Sequence, residues 1–193
     1  MAAGRQRYAH DDIVDIAVRV FLDRGYDGTS MADLAEAAGI TKSSIYHHVS
    51  GKEELLERGV GRALDALFRV LEEPGALDGQ AVERLRYIVR RMTEIVTQRL
   101  PEVALLVRAH GNTDAEKRAL DRRREFDRAV ARLMRQAIRD GHVRCCDDPG
   151  LATRLMLGMA VSVVEWYRPD GPIHADALVD AVERFAFGGL PGR

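Results

Sequence analysis

Thr29-Ser-Met-Ala-Asp-Leu-Ala-Glu-Ala-Ala-Gly-Ile-Thr-Lys-Ser-Ser-Ile-Tyr-His-His48 reads as two short helices joined by a glycine turn, just before a longer helix starting at Lys52-Glu-Glu-Leu-Leu56. Ser30 stands where an N-cap belongs, with Asp33 three residues on, a near relative of the capping box. Leu34 and the small pair Ala37–Ala38 suit close packing, and Gly39 supplies a backbone shape that a side chain resists. Thr41 then caps a third helix and leaves Lys42, Ser43 and Ser44 in its first turn. Two helices so joined have the helix-turn-helix layout, whose second helix lies in the DNA major groove.

The residue types at that second helix suit this use. A lysine can donate to guanine O6 and N7, and a serine can meet several base edges. Ile45 and Val49, four apart, anchor the helix inward, which makes Tyr46, His47 and His48 available for backbone or base contacts. Lys52 opens the next helix, where free N–H groups and a positive charge suit a phosphate. His47 and His48 do not suggest a metal, because adjacent side chains on a helix diverge and no Cys or carboxylate completes a ligand spacing. Upstream, a first helix from about Asp11 to Arg24 carries an apolar stripe of Ile13, Ala17, Val20 and Phe21, with Ile16 beside it.

Composition sets limits on this reading. The net charge of −1 argues against coating nucleic acid by bulk electrostatics, and residues 1–60 hold seven Lys/Arg against ten Asp/Glu. Specific binding depends on the local field, and the acids at Asp11, Asp12, Asp15 and Asp23 belong to the first helix, which leaves them free to face away from the duplex. Arg5, Arg7, Lys42 and Lys52 lie where DNA could be touched. A hydrophobic fraction of 46% is ordinary for a globular chain, and no apolar run reaches the roughly 18 residues of a membrane span. The first residues lack the apolar core of a secretion signal, so a cytoplasmic protein with no membrane partner is expected. Cys145 and Cys146 are adjacent, which suits neither an ordinary disulfide nor a C-x-x-C site; structural thiols or a redox pair remain open.

Everything after the head reads as helix. The expected fold is all-α with about nine helices: a three-helix head over residues 1–50 and a helical body over 51–193. The fourth helix runs from Gly51 to Leu71, where Gly59 and Gly61 permit either bending or close packing. Pro74-Gly75 marks a linker, a fifth helix spans about Gly79 to Arg99, and Pro101 begins a short sixth to about His110. The seventh helix, about Asp114 to Asp140, lies in the most basic stretch of the chain: residues 117–144 hold ten Lys/Arg against four Asp/Glu. That stretch is either a solvated face or a docking surface for an anionic ligand such as the phosphates of coenzyme A. Asp148-Pro149 opens the eighth helix, apolar on more than one face, and a last helix runs from about His174 to Phe187.

The segments Ala17-x-x-x-Phe21-x-x-x-Gly25-Tyr26, Thr29-Ser-Met-Ala-Asp-Leu-Ala35, Ala38-Gly-Ile-Thr41 and Ser44-Ile-Tyr-His-His48 with Lys52-Glu-Glu-Leu55 together resemble the TetR/AcrR family of one-component transcriptional regulators. The resemblance is close over about residues 9–57 and rests on length and helical order beyond them. It implies operator contacts at Thr29, at Thr41, Lys42, Ser43, Ser44, Tyr46, His47 and His48, and at Lys52, with Arg5 and Arg7 as an arm over neighbouring backbone. It also implies a homodimer on a palindromic double-stranded operator, through a four-helix interface of the last two helices. Leu155, Val161, Val164, Val179, Val182 and Phe185 are the expected interface residues.

Trp166-Tyr-Arg-Pro-Asp-Gly-Pro172 is similar, more narrowly, to regulators of actinobacterial lipid and sterol catabolism. That likeness implies a small hydrophobic effector such as a fatty acyl-CoA or steroid-CoA thioester. The expected pocket residues are Leu67, Met92, Phe126, Met159, Val163, Glu165, Trp166 and Tyr167. The same motif also fits a structural turn with Trp166 in the dimer core, and Glu165 fits either a ligand contact or a solvent-facing position. No phosphate loop, nucleophile elbow or zinc-protease motif occurs, so neither an enzyme nor a cofactor is expected. The alternative reading is a DNA-binding regulator whose body holds a protein partner instead of a metabolite. A buried apolar cavity separates the two.

Overall fold

The computed structural model describes residues 10–144 and 148–188. Ten helices account for its regular structure: α1 (His10–Arg24), α2 (Met31–Ala37), α3 (Lys42–Ile45), α4 (Lys52–Val70), α5 (Pro74–Leu77), α6 (Ala81–Gln98), α7 (Leu100–Val107), α8 (Asp114–Arg139), α9 (Pro149–Trp166) and α10 (Ala175–Gly188). The chain is all-α, as its periodicities imply. The count rises from nine to ten because Pro74-Gly75 is the start of one helical turn, Pro at its first position, where a linker was expected.

The head is α1 to α3. Its inner stripe is Ile13, Val14, Ala17, Val18 and Phe21, so Ile16 and Val20 sit at the edge of the core and Val14 and Val18 at its centre. Ser30 and Asp33 form a full capping box: the Ser30 hydroxyl accepts from the Asp33 N–H at 3.2 Å, and Asp33 accepts from the Ser30 N–H at 2.7 Å. The Ser30 hydroxyl, donating to the Asp33 carboxylate at 2.6 Å, and the Ser30 N–H together hold that carboxyl below its usual range. Gly39 has φ 63°, the left-handed conformation that its place between the two helices demands.

Head and body share their apolar interior. One continuous core runs from Ile13 to Val182, and α4 packs on α1 at one side and on α8 at the other. Gly59 explains how close α1 and α7 come to α4: a Cβ there would meet Val18 Cγ2 at 2.7 Å and Leu105 Cδ2 at 3.4 Å. Packing, not bending, is therefore its use. Gly61 faces open space.

Ion pairs then tie the layers. Arg62 on α4 reaches the carboxylates of Asp11, at 2.6 Å, and Asp15. Arg118 and Arg122 on α8 reach Glu57 and Asp65 on α4 at 2.9 and 2.8 Å. Glu53, in the first turn of α4, accepts from the Ala115 N–H at 3.0 Å and so caps α8 from the neighbouring helix. At the far side α10 lies on α6, where Arg90 pairs with Asp180 and Glu183 and Arg86 covers the Phe187 ring. No helix among the described residues is long and apolar enough to cross a membrane.

Candidate nucleic-acid interface and effector cavity

Thr41 caps α3 as its sequence position suggests, its hydroxyl accepting from the Ser44 N–H at 3.1 Å. Regular α-helix covers only Lys42–Ile45. The chain continues in tighter turns, with His47 N–H donating to Ser44 and His48 N–H to Ile45, before Val49 returns to an i→i−4 bond. Ile45 and Val49 are buried beneath this segment. Thr41, Lys42, Ser43, Tyr46 and His47 are exposed along it, while Ser44 and His48 are half-buried. Tyr46 is 47% exposed, a large ring left in solvent that the core does not use. Of the four acids of the first helix, Asp11 and Asp15 are held at Arg62 on the body side.

Two residues expected at the operator have other tasks here. Thr29 is buried, and its hydroxyl donates to the Gly25 carbonyl at 2.7 Å, closing the end of α1. The Lys52 ammonium donates to the Tyr26 carbonyl at 2.9 Å and the Thr29 carbonyl at 3.1 Å, and lies 4.2 Å from the centre of the Tyr26 ring. Lys52 thus pins the α1–α2 turn to the start of α4. Its position at a helix start predicts a phosphate contact. Its actual partners are carbonyls that only the folded turn brings near, which a local motif does not reveal. Arg5 and Arg7 lie outside the described residues, as do Cys145 and Cys146.

The body encloses an apolar cavity of about 210 Å³. Leu67 of α4, Met92 and Val96 of α6 and Phe126 of α8 form its floor. Val103, Leu106 and Val107 of α7 form one wall, and Leu157, Gly158 and Val161 of α9 another. Leu67, Met92 and Phe126 are the expected pocket residues found in the lining. Met159, Val163, Glu165, Trp166 and Tyr167 lie outside it.

Helical geometry gives the reason. The cavity face of α9 is the stripe Thr153, Arg154, Leu157, Gly158 and Val161, and residues 159 and 163 are turned well away from it. Val163 and Tyr167 are buried in the core, while Glu165 and the 49%-exposed Trp166 point to solvent. Periodicity alone does not say which face of an all-round apolar helix meets a cavity. Three charged side chains also line it: Arg123 and Asp127, from the basic stretch over residues 117–144, and Arg154 of α9. Burial pushes the Asp127 carboxyl up, against the pull of Arg123 and Arg154. A second, more polar cleft lies between head and body, lined in part by Asp23, Arg24, Asp27, Arg108 and His110.

The outer face of α9 carries Leu151, Leu155, Gly158, Ser162 and Trp166, all exposed and spaced as one helical stripe. Leu155 is 64% exposed and, on α10, Phe185 is 52% exposed. Of the other residues expected at a dimer interface, Val179 and Val182 are buried within their own chain, where α10 packs on α6. Val161 faces the cavity and Val164 is half-buried.

Both parts of the chain match known families. Residues 13–58 match the model for bacterial regulatory proteins of the tetR family, and residues 78–190 match the tetracyclin repressor-like C-terminal domain. The chain belongs to the TetR family. It is a helix-turn-helix transcriptional regulator, not an enzyme.

Among solved structures it is similar to SCO3833, a TetR-family member from Streptomyces coelicolor A3, at 52% identity and a TM-score of 0.89, covering 100% of this chain and 96% of that one. It is also similar to AibR, solved in complex with isovaleryl coenzyme A and operator DNA, at 28% identity and a TM-score of 0.76, covering 92% of this chain and 97% of that one. Among curated proteins, the repressor KstR2 of Mycolicibacterium smegmatis is 26% identical over 189 residues, 93% of this chain and 89% of that protein.

Proposed function

We propose that the protein is a dimeric, effector-responsive repressor, binding a palindromic operator through α3 and released by a small hydrophobic ligand held between α4, α6, α7, α8 and α9. The enclosed apolar cavity carries this reading over one in which the body holds a protein partner, since such a pocket suits a small molecule. Thr41, Lys42, Ser43, Ser44, Tyr46, His47 and His48 make the groove and backbone contacts; Lys52 supports them from behind. Two copies join across the exposed stripe of α9 with Phe185 of α10, and so present two α3 segments to half-sites about 34 Å or a multiple apart. The AibR complex, solved with an acyl-CoA and DNA, supports a thioester effector, and KstR2 supports repression and a lipid or sterol context. A cytoplasmic regulator is in keeping with both.

Ligand and head communicate through α7. Val103, Leu106 and Val107 face the cavity, Leu105 sits against Gly59, and the Arg108 guanidinium beyond the helix donates to the Leu22 carbonyl of α1 at 2.7 Å. A ligand that shifts α7 therefore pulls on the head. Such coupling requires tighter ligand binding to the DNA-incompetent state.

The test is fluorescence polarisation of the protein on its own upstream DNA, titrated with fatty acyl-CoA and steroid-CoA thioesters. Specific binding that one thioester class abolishes is the expected result. Specific binding that no thioester or free apolar acid disturbs refutes the effector half of the proposal and favours a protein partner.

A further inference from the structure

The cavity is apolar except at its rim, where Arg123 and Asp127 come from α8 and Arg154 from α9. Arg154 is solvent-exposed and Arg123 is half-buried in the single chain, so the cavity reaches the surface at this rim, beside the α9 stripe proposed for the dimer. Three guanidiniums of α8 are already engaged: Arg118 and Arg122 close ion pairs with Glu57 and Asp65 on α4, and Arg124 with Asp121 one turn before it. Arg123 and Arg154 close none within 4.0 Å among the described residues, although Asp127 is near enough for both to act on it through space. Two cations and one carboxylate leave the rim with a net positive charge over an apolar hole. The hole has room for about seven water-sized groups at roughly 30 Å³ each.

Resting on the effector reading above, we propose that Arg123 and Arg154 seat an anionic group at the end of a short apolar chain, with Asp127 as the competing internal anion that this group displaces from their field. Charge on the ligand is then recognised at the rim, and chain length is measured by the cavity. Asp127 sets specificity by penalty: a neutral ligand leaves the Asp127–arginine field undisturbed and gains nothing at the rim. An anion must outcompete a carboxylate whose burial already disfavours its charge. The anion is either the carboxylate of a free acid or a phosphate of a thioester's coenzyme folded back over the rim.

Calorimetric titration with octanoate, octanoyl-coenzyme A and 1-octanol separates these cases, because octanoate carries seven carbons beyond its carboxylate and 1-octanol is its neutral match. Arg123→Gln and Arg154→Gln should each weaken an anionic probe by about tenfold or more, the loss of one charge-assisted contact. Asp127→Asn should tighten it several-fold. 1-Octanol should bind all four proteins alike, and operator affinity without ligand should stay unchanged, which certifies the fold. A response confined to octanoate identifies the free acid; one confined to octanoyl-coenzyme A identifies the thioester. 1-Octanol binding as tightly as the anions, with no effect of either arginine variant, overturns the rim proposal and leaves the effector reading standing. Failure of all three probes to bind overturns the rim proposal, and the effector reading is then decided separately by the operator-release titration.

Discussion

Replacing Lys52 with alanine distinguishes a residue that grips DNA from one that holds the head together. The ammonium donates to two carbonyls, at 2.9 and 3.1 Å, and lies over the Tyr26 ring. A hydrogen bond from a charged group contributes about 1.5–3 kcal/mol and a partly exposed cation–π contact about 0.5–1. The site is only half-buried, so water replaces part of what is lost, and a net cost of about 2 kcal/mol is the reasonable sum. For a chain of this length that corresponds to a Tm lower by about 4–8 °C. Differential scanning calorimetry at matched protein concentration reads it, since dimerisation makes Tm concentration-dependent. The DNA-binding salt slope should be preserved, because no phosphate contact is removed. A variant with unchanged Tm whose slope falls by about one phosphate's worth would refute the clamp and restore the phosphate role.

Gly59→Ala should destabilise by about 1–3 kcal/mol in chemical denaturation, because its methyl has to displace Val18 and Leu105, whereas Gly61→Ala should be neutral or stabilising by up to about 1 kcal/mol. Leu155→Arg, at the centre of the exposed α9 stripe, should leave folding intact by circular dichroism and give a monomer in sedimentation, with operator affinity lost by at least tenfold. Asp127→Asn carries a pH signature. A carboxyl whose folded pKa is raised binds its proton more tightly folded than unfolded, so it costs stability above that pKa and nothing below the unfolded value of 3.8. The variant should therefore be more stable than the parent at neutral pH, with the difference vanishing as pH falls toward 3.8 in urea titrations.

The head was legible because its signals are local. Ser30, Asp33, Gly39 and Thr41 act on backbone groups within three or four residues, and each acts in the structure where the sequence puts it. The bonds of Lys52 within the chain were not legible for the opposite reason: its partners Tyr26 and Thr29 lie 26 and 23 residues away. In the body, helix positions could be read but faces could not. α9 is apolar all round, so the periodicity that reveals a helix is silent on whether Val163 or Val161 meets the cavity. The same holds for α10, where Val179 and Val182 satisfy a dimer stripe as well as the α6 contact they actually make. Arg123 and Asp127 lie inside the basic run of α8, where it takes the fold to show that Arg118 and Arg122 pair with Glu57 and Asp65 on α4 and so differ from Arg123.

If the proposed effector coupling holds, the position of α7 would turn a modest ligand preference into a large regulatory effect. Val103, Leu106 and Val107 of this eight-residue helix line the cavity, and Arg108 just past its end holds the carbonyl of Leu22 in the head. Core packing resists continuous deformation, so a ligand that shifts this short helix favours one of two discrete head positions over the other. A preference of about 1.4 kcal/mol between those positions is a factor of ten per protomer. In a two-fold dimer both heads must fit their half-sites at once, so the factors multiply to about a hundredfold in operator affinity. Arg108→Gln cuts the tie to α1 and leaves the cavity lining untouched. On this reasoning it keeps effector affinity in the absence of DNA and loses most of the effector's influence on operator binding.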